Sequence, residues 1–238
     1  MLSGRDWAFF AVLLVANVIQ AITGFAGTVL AMPFLMLLIG ADEARAVLAV
    51  MALISCAVIA VRGRRFIDRG ELSRIVAFMA VGMAIGMVVY SLMPLDVLRR
   101  VYGAFIVVVA LHHLLVGRRR ALSRPALAGV LLAAGVIHGM FVSGGALLVV
   151  YAAQVLPDKD RFRSTMAAVW VPLNIVMLAQ LGASGGIDEH AVALSVIGLV
   201  PLCAAVAIGG WLGRRLDQRA FMTLTYVLLA VSGASIML

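Results

Sequence analysis

The chain is a succession of long apolar runs separated by short polar loops. Continuous apolar segments lie at 44–61, 72–92, 96–116, 164–182, 190–212 and 219–238. Each is long enough to cross roughly 30 Å of hydrocarbon as a helix, which takes about 20 residues at about 1.5 Å apiece. Membrane strands would alternate over about 10 residues, and these runs do not alternate. Two further stretches, 7–39 and 126–156, are too long for one straight crossing. The first contains Thr23-Gly24-Phe25-Ala26-Gly27-Thr28, with Pro33 beyond it; the second contains Phe141-Val142-Ser143-Gly144-Gly145 and ends at Pro157. Glycine is costly inside a helix and opens backbone angles closed to other residues. Each stretch is therefore predicted to break there, the first into pieces of about 16 and 12 residues. The first stretch does not read as a cleavable signal, because its apolar character continues past any plausible cleavage site.

The two breaks also organise the chain. A shift of 118 positions lays Gln20 on His138, Gly27 on Gly145, Arg45 on Arg163 and Ala49 on Ala167. Further along the offset grows to 121–123, where Ala84-Ile85-Gly86 meets Ala207-Ile208-Gly209 and Leu95-Asp96 meets Leu216-Asp217. Residues 1–120 and 125–238 read as two copies of one unit, joined by Arg118-Arg119-Arg120, within one integral membrane domain. Loops rich in Arg and Lys stay cytoplasmic. That rule places inside the loop with Arg62, Arg64, Arg65, Arg69 and Arg74, the linker with Arg124, and the loops with Lys159, Arg161, Arg163, Arg214, Arg215 and Arg219. The 183–189 loop has no Arg or Lys but holds Asp188 and Glu189, so it faces outside. Equivalent loops then face opposite sides, and the repeats are inverted. The fold predicted is an all-α, polytopic membrane bundle of about ten helical pieces with an external C-terminus, each repeat opening with a broken hairpin. The hairpins are re-entrant or make two short crossings. Counting each broken stretch as one crossing gives eight helices and parallel repeats, but leaves Arg214 and Arg215 outside.

Composition narrows the class further. The 238 residues are 64% hydrophobic and 13% charged, with a mean hydropathy of +1.13. A soluble domain runs near about 45–50% apolar and about 25% charged, so this chain cannot cover itself in water. The net charge of +8 forms no stripe or face, and no nucleic-acid partner is expected. Cys56 and Cys203 both lie in apolar runs, and no His/Cys cluster spells a metal site. Walker loops, nucleophile–base pairs and intramembrane carboxylates are missing, which argues against an ATPase, a carboxylate-based cation pump and an enzyme. No cofactor is expected.

Paired broken helices in inverted repeats are a recurrent plan for secondary transporters, with substrate held where the half-helices end. A helix N-terminus presents unsatisfied N–H groups and about half a positive charge, which favours an anion. Such termini are predicted near Gly27-Thr28 and Gly144-Gly145, with Gly24 allowing close approach and Thr23, Thr28 and Ser143 adding hydroxyls. Gln20 and His138 sit just before each break, and polar residues are expensive in hydrocarbon unless they have a partner or a cavity. His138 can bind substrate or carry a proton. Asn174 follows Pro172, where a kink frees a carbonyl; Asn17, Gln154 and Gln180 are the other intramembrane amides. Arg45 and Arg163 are read as attracting or gating an anion, with Ser164 and Thr165 capping the helix that follows. The competing reading is structural: the glycines, Gly82 and Gly86 among them, permit close helix packing, and the arginines snorkel to the headgroups.

These residues resemble the sulfite exporter TauE/SafE family of anion permeases through nearly the whole chain. The carriers are Ile22-Thr23-Gly24-Phe25-Ala26-Gly27-Thr28 with Pro33, Val142-Ser143-Gly144-Gly145, the Asp-Glu-Ala-Arg segment 42–45, the segment 158–165, Gly209-Gly210 and Leu216-Asp217. The resemblance implies a duplicated membrane protein that moves sulfite, sulfonates or related anions, with ligand roles for Gly24, Gly27, Ser143, Gly144 and Gly145. The glycine run here is sparser than is usual for the family, and Ala46-Val47 stands where a small polar pair is common. The expected function is a secondary transporter of small sulfur-containing anions in a bacterial inner membrane, working by rocking of the repeats and coupled to protons or membrane potential. Its partners are the anion and the lipid bilayer, and a homodimer is compatible with the sequence. The alternative is a membrane accessory or assembly protein that transports nothing.

Overall fold

A computed structural model describes residues 4–115, 122–156, 158–215, 217 and 223. The described chain is helical, without a strand. Its α-helices are α1 (Gly4–Thr23), α2 (Gly27–Leu38), α3 (Ala41–Arg62), α4 (Arg69–Leu92), α5 (Leu95–Leu115), α6 (Arg124–Phe141), α7 (Gly145–Val155), α8 (Lys159–Ala183) and α9 (Glu189–Arg215). Five of them, α3, α4, α6, α8 and α9, are long and apolar enough to cross a membrane. The Arg118–Arg120 linker, Pro157 and nearly all of the expected helix 219–238 lie outside the described residues.

Both expected breaks are present. The first falls where Gly24 takes a positive φ of 82°; α1 runs to 20 residues rather than about 16 because it starts at Gly4. The second falls at Val142, whose φ of 56° puts a β-branched residue in the left-handed region. Three long helices start on an aspartate that accepts a backbone N–H three residues on. Asp68 takes Glu71 N–H at 3.0 Å, Asp158 takes Arg161 N–H at 2.8 Å and Asp188 takes Ala191 N–H at 2.7 Å. This N-cap satisfies a donor that the helix itself cannot pair. The reading of Ser164 and Thr165 as caps is corrected here. The helix has already begun at Lys159, and Thr165 Oγ1 instead accepts the Asp68 N–H at 2.9 Å.

Glycines set the helix directions. A Cβ on Gly82 or Gly86 of α4 would run into the Leu132 or Val136 carbonyl of α6. A Cβ on Gly135 or Gly139 of α6 would run into the Met79 or Met83 carbonyl of α4. Both series rise together, so α4 and α6 are parallel and locked through small residues, as membrane helices commonly are. Gly209 against Val18 and Gly213 against Ile22 make α9 and α1 parallel in the same way. Arg45 meets Met177 while Gly63 meets Ser164, so α3 and α8 run antiparallel. Alternating directions along the chain then point α1, α2, α3 and α4 opposite to α6, α7, α8 and α9 respectively. The principal pairings survive exchange of the two sets: α4–α6 becomes α9–α1, α1–α2 becomes α6–α7, α3–α9 becomes α8–α4, and α3–α8 maps onto itself.

The ends of the bundle differ in charge. At one end Glu43 meets His190 at 2.8 Å and Tyr90 donates to Asp42 at 2.8 Å, joining the 39–43, 90–95 and 183–190 segments. At the other, Asp68 meets Thr165 and Lys159 Nζ donates to the Gly213 carbonyl at 2.6 Å, which gathers the arginine-rich loops. Between the ends, α4 carries exposed Phe78, Val81, Ile85, Val88 and Leu92 at helical spacing, the pattern of a lipid-facing stripe.

Two alanine substitutions in α6 test the lock. Gly135→Ala should destabilise the protein by about 1–3 kcal/mol through overpacking. Gly129→Ala, with nothing within 4 Å of its Cβ, should be neutral or stabilising by up to about 1 kcal/mol through helix propensity. Thermal melts in one detergent compare them.

Candidate functional site: the two hairpin tips

Each hairpin folds its second helix back onto its first, so the chain must meet its own unpaired backbone groups at the tip. At the first tip it does so with its own side chains. Gln20 Oε1 accepts the Gly27 N–H at 2.7 Å, and Thr23 Oγ1 accepts the Phe25 and Ala26 N–H groups at 3.2 and 3.0 Å. Gln20 Nε2 then donates to Cys56 Sγ at 3.0 Å. The amino-terminal end of α2 is thus closed from within. A Cβ on Gly24 would lie 2.6 Å from the Arg163 carbonyl oxygen, and one on Gly27 would lie 2.5 Å from that of Ala16. Both glycines are filled by backbone packing.

The second tip has the same course and different chemistry. Gly144 N-caps α7 without a side-chain bond, and Ser143 Oγ donates to the carbonyls of Phe141 at 2.8 Å and Thr28 at 3.4 Å, capping no N–H. His138 holds the position equivalent to Gln20. It is 2% exposed, and neither ring nitrogen has a hydrogen-bond partner. The shift of 118 that pairs Gln20 with His138 also pairs Cys56 with Asn174. Asn174 is fully buried; its Nδ2 donates to the Trp170 carbonyl at 2.9 Å and its Oδ1 is unpartnered. Trp170, one turn earlier on α8, lies against the His138 ring with centroids 4.9 Å apart, and its Nε1 is also unpartnered. The Gln20–Cys56 pair is bonded, whereas its counterpart leaves three side chains with unmet polar atoms.

The tips touch. A Cβ on Gly145 would lie 2.7 Å from the Phe25 carbonyl oxygen, and Ser143 reaches Thr28 as above. A Cβ on Gly144 would collide with the Ala134 carbonyl. The arginines brace this centre symmetrically. Arg45 Nη2 donates to the Gly139 carbonyl at 3.1 Å, and Arg163 donates through Nε and Nη2 to the Ala21 carbonyl at 2.9 and 2.6 Å. Ala21 and Gly139 are themselves equivalent under the same shift. Each arginine therefore holds the other half's hairpin, and neither snorkels.

Arg45 is 3% exposed, stacks 3.7 Å from the Tyr90 ring centroid and lies 3.8 Å from Asp42. Its Nε has no partner. It forms the floor of a cavity of about 530 Å³ at the acidic end, bordered by Asp42, Glu43, Tyr90, Gln180 and Asp188. Arg45 bonds Gly139, the neighbour of His138, and its Nη2 lies 3.8 Å from Met177 Sδ, one turn from Asn174. The structure thus brings Arg45, His138, Ser143, Gly144, Gly145 and Asn174 to one region and places Gln20, Gly24, Gly27 and Thr28 in the tip against it. Arg163 braces the opposite side. Asn17 and Gln154 bond to carbonyls of their own helices. Sequence reasoning missed Trp170, Tyr90, Asp42 and Cys56. The 118 shift was the available signal for Cys56.

Buried unpaired donors beside a cation suit an anion, and the comparison with known families agrees. The sulfite exporter TauE/SafE family profile matches residues 9–236. The chain belongs to that family. No curated protein and no solved structure gives a significant match. This TauE/SafE protein is accordingly a multi-pass membrane transporter, of a family that transports rather than catalyses.

The contrast between equivalent positions can be measured in the TauE/SafE protein without substrate. His138→Phe removes two unmet buried nitrogens while keeping a ring, so the melting temperature should hold or rise. Gln20→Leu strands the Gly27 N–H and should cost about 1–3 kcal/mol. Equal losses for both would contradict the asymmetry.

Proposed function

We propose that this TauE/SafE protein is a secondary transporter of small sulfur-containing oxyanions, such as sulfite or organosulfonates, in a bacterial inner membrane. Residues 1–120 and 125–238 form its two inverted units, and the exchange symmetry of the helix pairings supports that division. The anion binds at the second break. The observation that carries this reading is the set of unmet polar atoms on Arg45, His138, Trp170 and Asn174 around the second break. Unsatisfied buried polar groups cost about 1–3 kcal/mol each, and a ligand that pairs them recovers that cost as affinity. Neutral histidine offers one donor and one acceptor, Trp one donor, Arg donors only, and the Asn174 oxygen an acceptor. This mixed set suits an oxyanion that brings a hydrogen-bond donor of its own, as hydrogen sulfite or an amino- or hydroxyl-bearing sulfonate does.

Arg45 is the outer floor of the site. An anion entering from the acidic-end cavity draws Arg45 away from Asp42 and the Gly139 carbonyl, reaches His138 and Asn174, and is sealed when Arg45 returns. Gln20, Gly24, Gly27 and Thr28 form the closed tip on which the second tip packs. Arg163 makes the matching brace on the other side. The arginine-rich end is cytoplasmic by the positive-inside rule, so the cavity above Arg45 opens outward.

Proteoliposome flux of labelled sulfite tests the reading. The native protein should move sulfite, and His138→Phe or Asn174→Leu should cut the rate at least tenfold in folded protein. If no small anion moves under any imposed gradient, the transport reading fails. In a Cys203→Ser background, Arg65→Cys and Gly185→Cys should label from opposite faces of the membrane. Labelling from one face would refute the inverted arrangement.

A further inference from the structure

A second cavity, at the arginine-rich end, lies apart from the tips. It has a volume of about 440 Å³ and sits among α4, α6 and α7. Arg74 and Arg124 stand at it, and Phe78, Leu127 and Leu131 supply its apolar walls. Tyr151 lies beside them, its hydroxyl donating to Glu71 Oε2, while Arg74 Nη1 meets Glu71 Oε1 at 2.8 Å. One carboxylate thus positions one guanidinium and one hydroxyl. Asp68 is engaged as the cap of α4. The two arginines against Glu71 leave the mouth positive, and the first turn of α6, where Arg124 sits, adds the positive end of a helix.

The cavity's location gives its ligand a shape. Phe78 is both a wall of the cavity and the first residue of the exposed apolar stripe that continues through Val81, Ile85 and Val88 along α4. A ligand held here would place an anionic group at the basic end and a hydrocarbon tail along a surface that faces acyl chains. Basic pockets between membrane helices on the cytoplasmic side bind anionic headgroups. A small inorganic anion would use the arginines and leave the apolar walls unmatched.

We propose that this cavity is a binding site for an anionic phospholipid, with the phosphate between Arg74 and Arg124 and an acyl chain against Phe78 and Leu127. The site is independent of the transport site and does not use its residues.

The test uses the whole protein. Purified protein is equilibrated with vesicles of phosphatidylcholine doped with either phosphatidylglycerol or more phosphatidylcholine, and bound lipid is read by native mass spectrometry. Native protein should retain phosphatidylglycerol over phosphatidylcholine at least tenfold. Arg74→Ala combined with Arg124→Ala should abolish that preference, and Arg74→Lys with Arg124→Lys should keep most of it. Excess inorganic phosphate should not displace the lipid. An unchanged preference in the alanine pair would overturn the site. Displacement by phosphate at matched concentration would make it a plain anion site and overturn the lipid assignment. The transport reading stands or falls separately, because the alanine pair should still move sulfite when supplied with neutral lipid.

Discussion

A helix that breaks inside hydrocarbon leaves backbone N–H and C=O groups where no water can meet them. This protein breaks two helices in that way, and much of its interior is the response. At the first tip Gln20 and Thr23 fold back onto the three N–H groups that follow them. The carbonyls of Ala21 and Gly139, just upstream of each break, are met by arginines reaching across from the other half. Those arginines are affordable in the interior only because each has a carbonyl to bind; Arg45 also has an aromatic ring beneath it. Most of the unmet polar atoms among the described residues lie around the second tip.

The two halves share a course and differ in substance. Gln20 with Cys56 and His138 with Asn174 occupy equivalent positions, yet one pair closes on itself and the other does not. An inverted arrangement requires matching backbones, because the path must be able to form from either side. It does not require matching side chains. Side-chain differences at equivalent positions, Gln20, Thr23, Ala52 and Cys56 against His138, Phe141, Trp170 and Asn174, leave one tip closed and the other with unmet polar atoms.

Much of the architecture was legible in the sequence because it depends on coarse physics. Among the described residues, apolar runs of membrane length became helices, breaks fell at Gly24 and at Val142 beside Ser143-Gly144-Gly145, and the basic and acidic loops separated to opposite ends. The helix starts were less legible. Ser164-Thr165 looked like a cap because the apolar run begins there, but α8 continues past the run to Lys159 and is capped by Asp158. Helices end where the backbone finds a partner, which here is beyond the hydrocarbon. The chemistry of the tips was least legible. Nothing local says that Gln20 reaches an N–H seven residues ahead while His138 finds none. Trp170, inside an apolar run, reads as packing until its indole is seen against His138.

The glycine lock between α4 and α6 bears on how such a molecule can move. Those helices belong to different halves, as do α1 and α9, and each pair is seated backbone against backbone. Rocking one half against the other would tear both seams. The tips are seated in the same manner, Gly145 against the Phe25 carbonyl and Gly24 against that of Arg163, so α7 and α8 also meet the first tip at backbone distance. The boundary between the two repeats that the sequence suggests therefore runs through the tightest seams of the bundle rather than between separable parts.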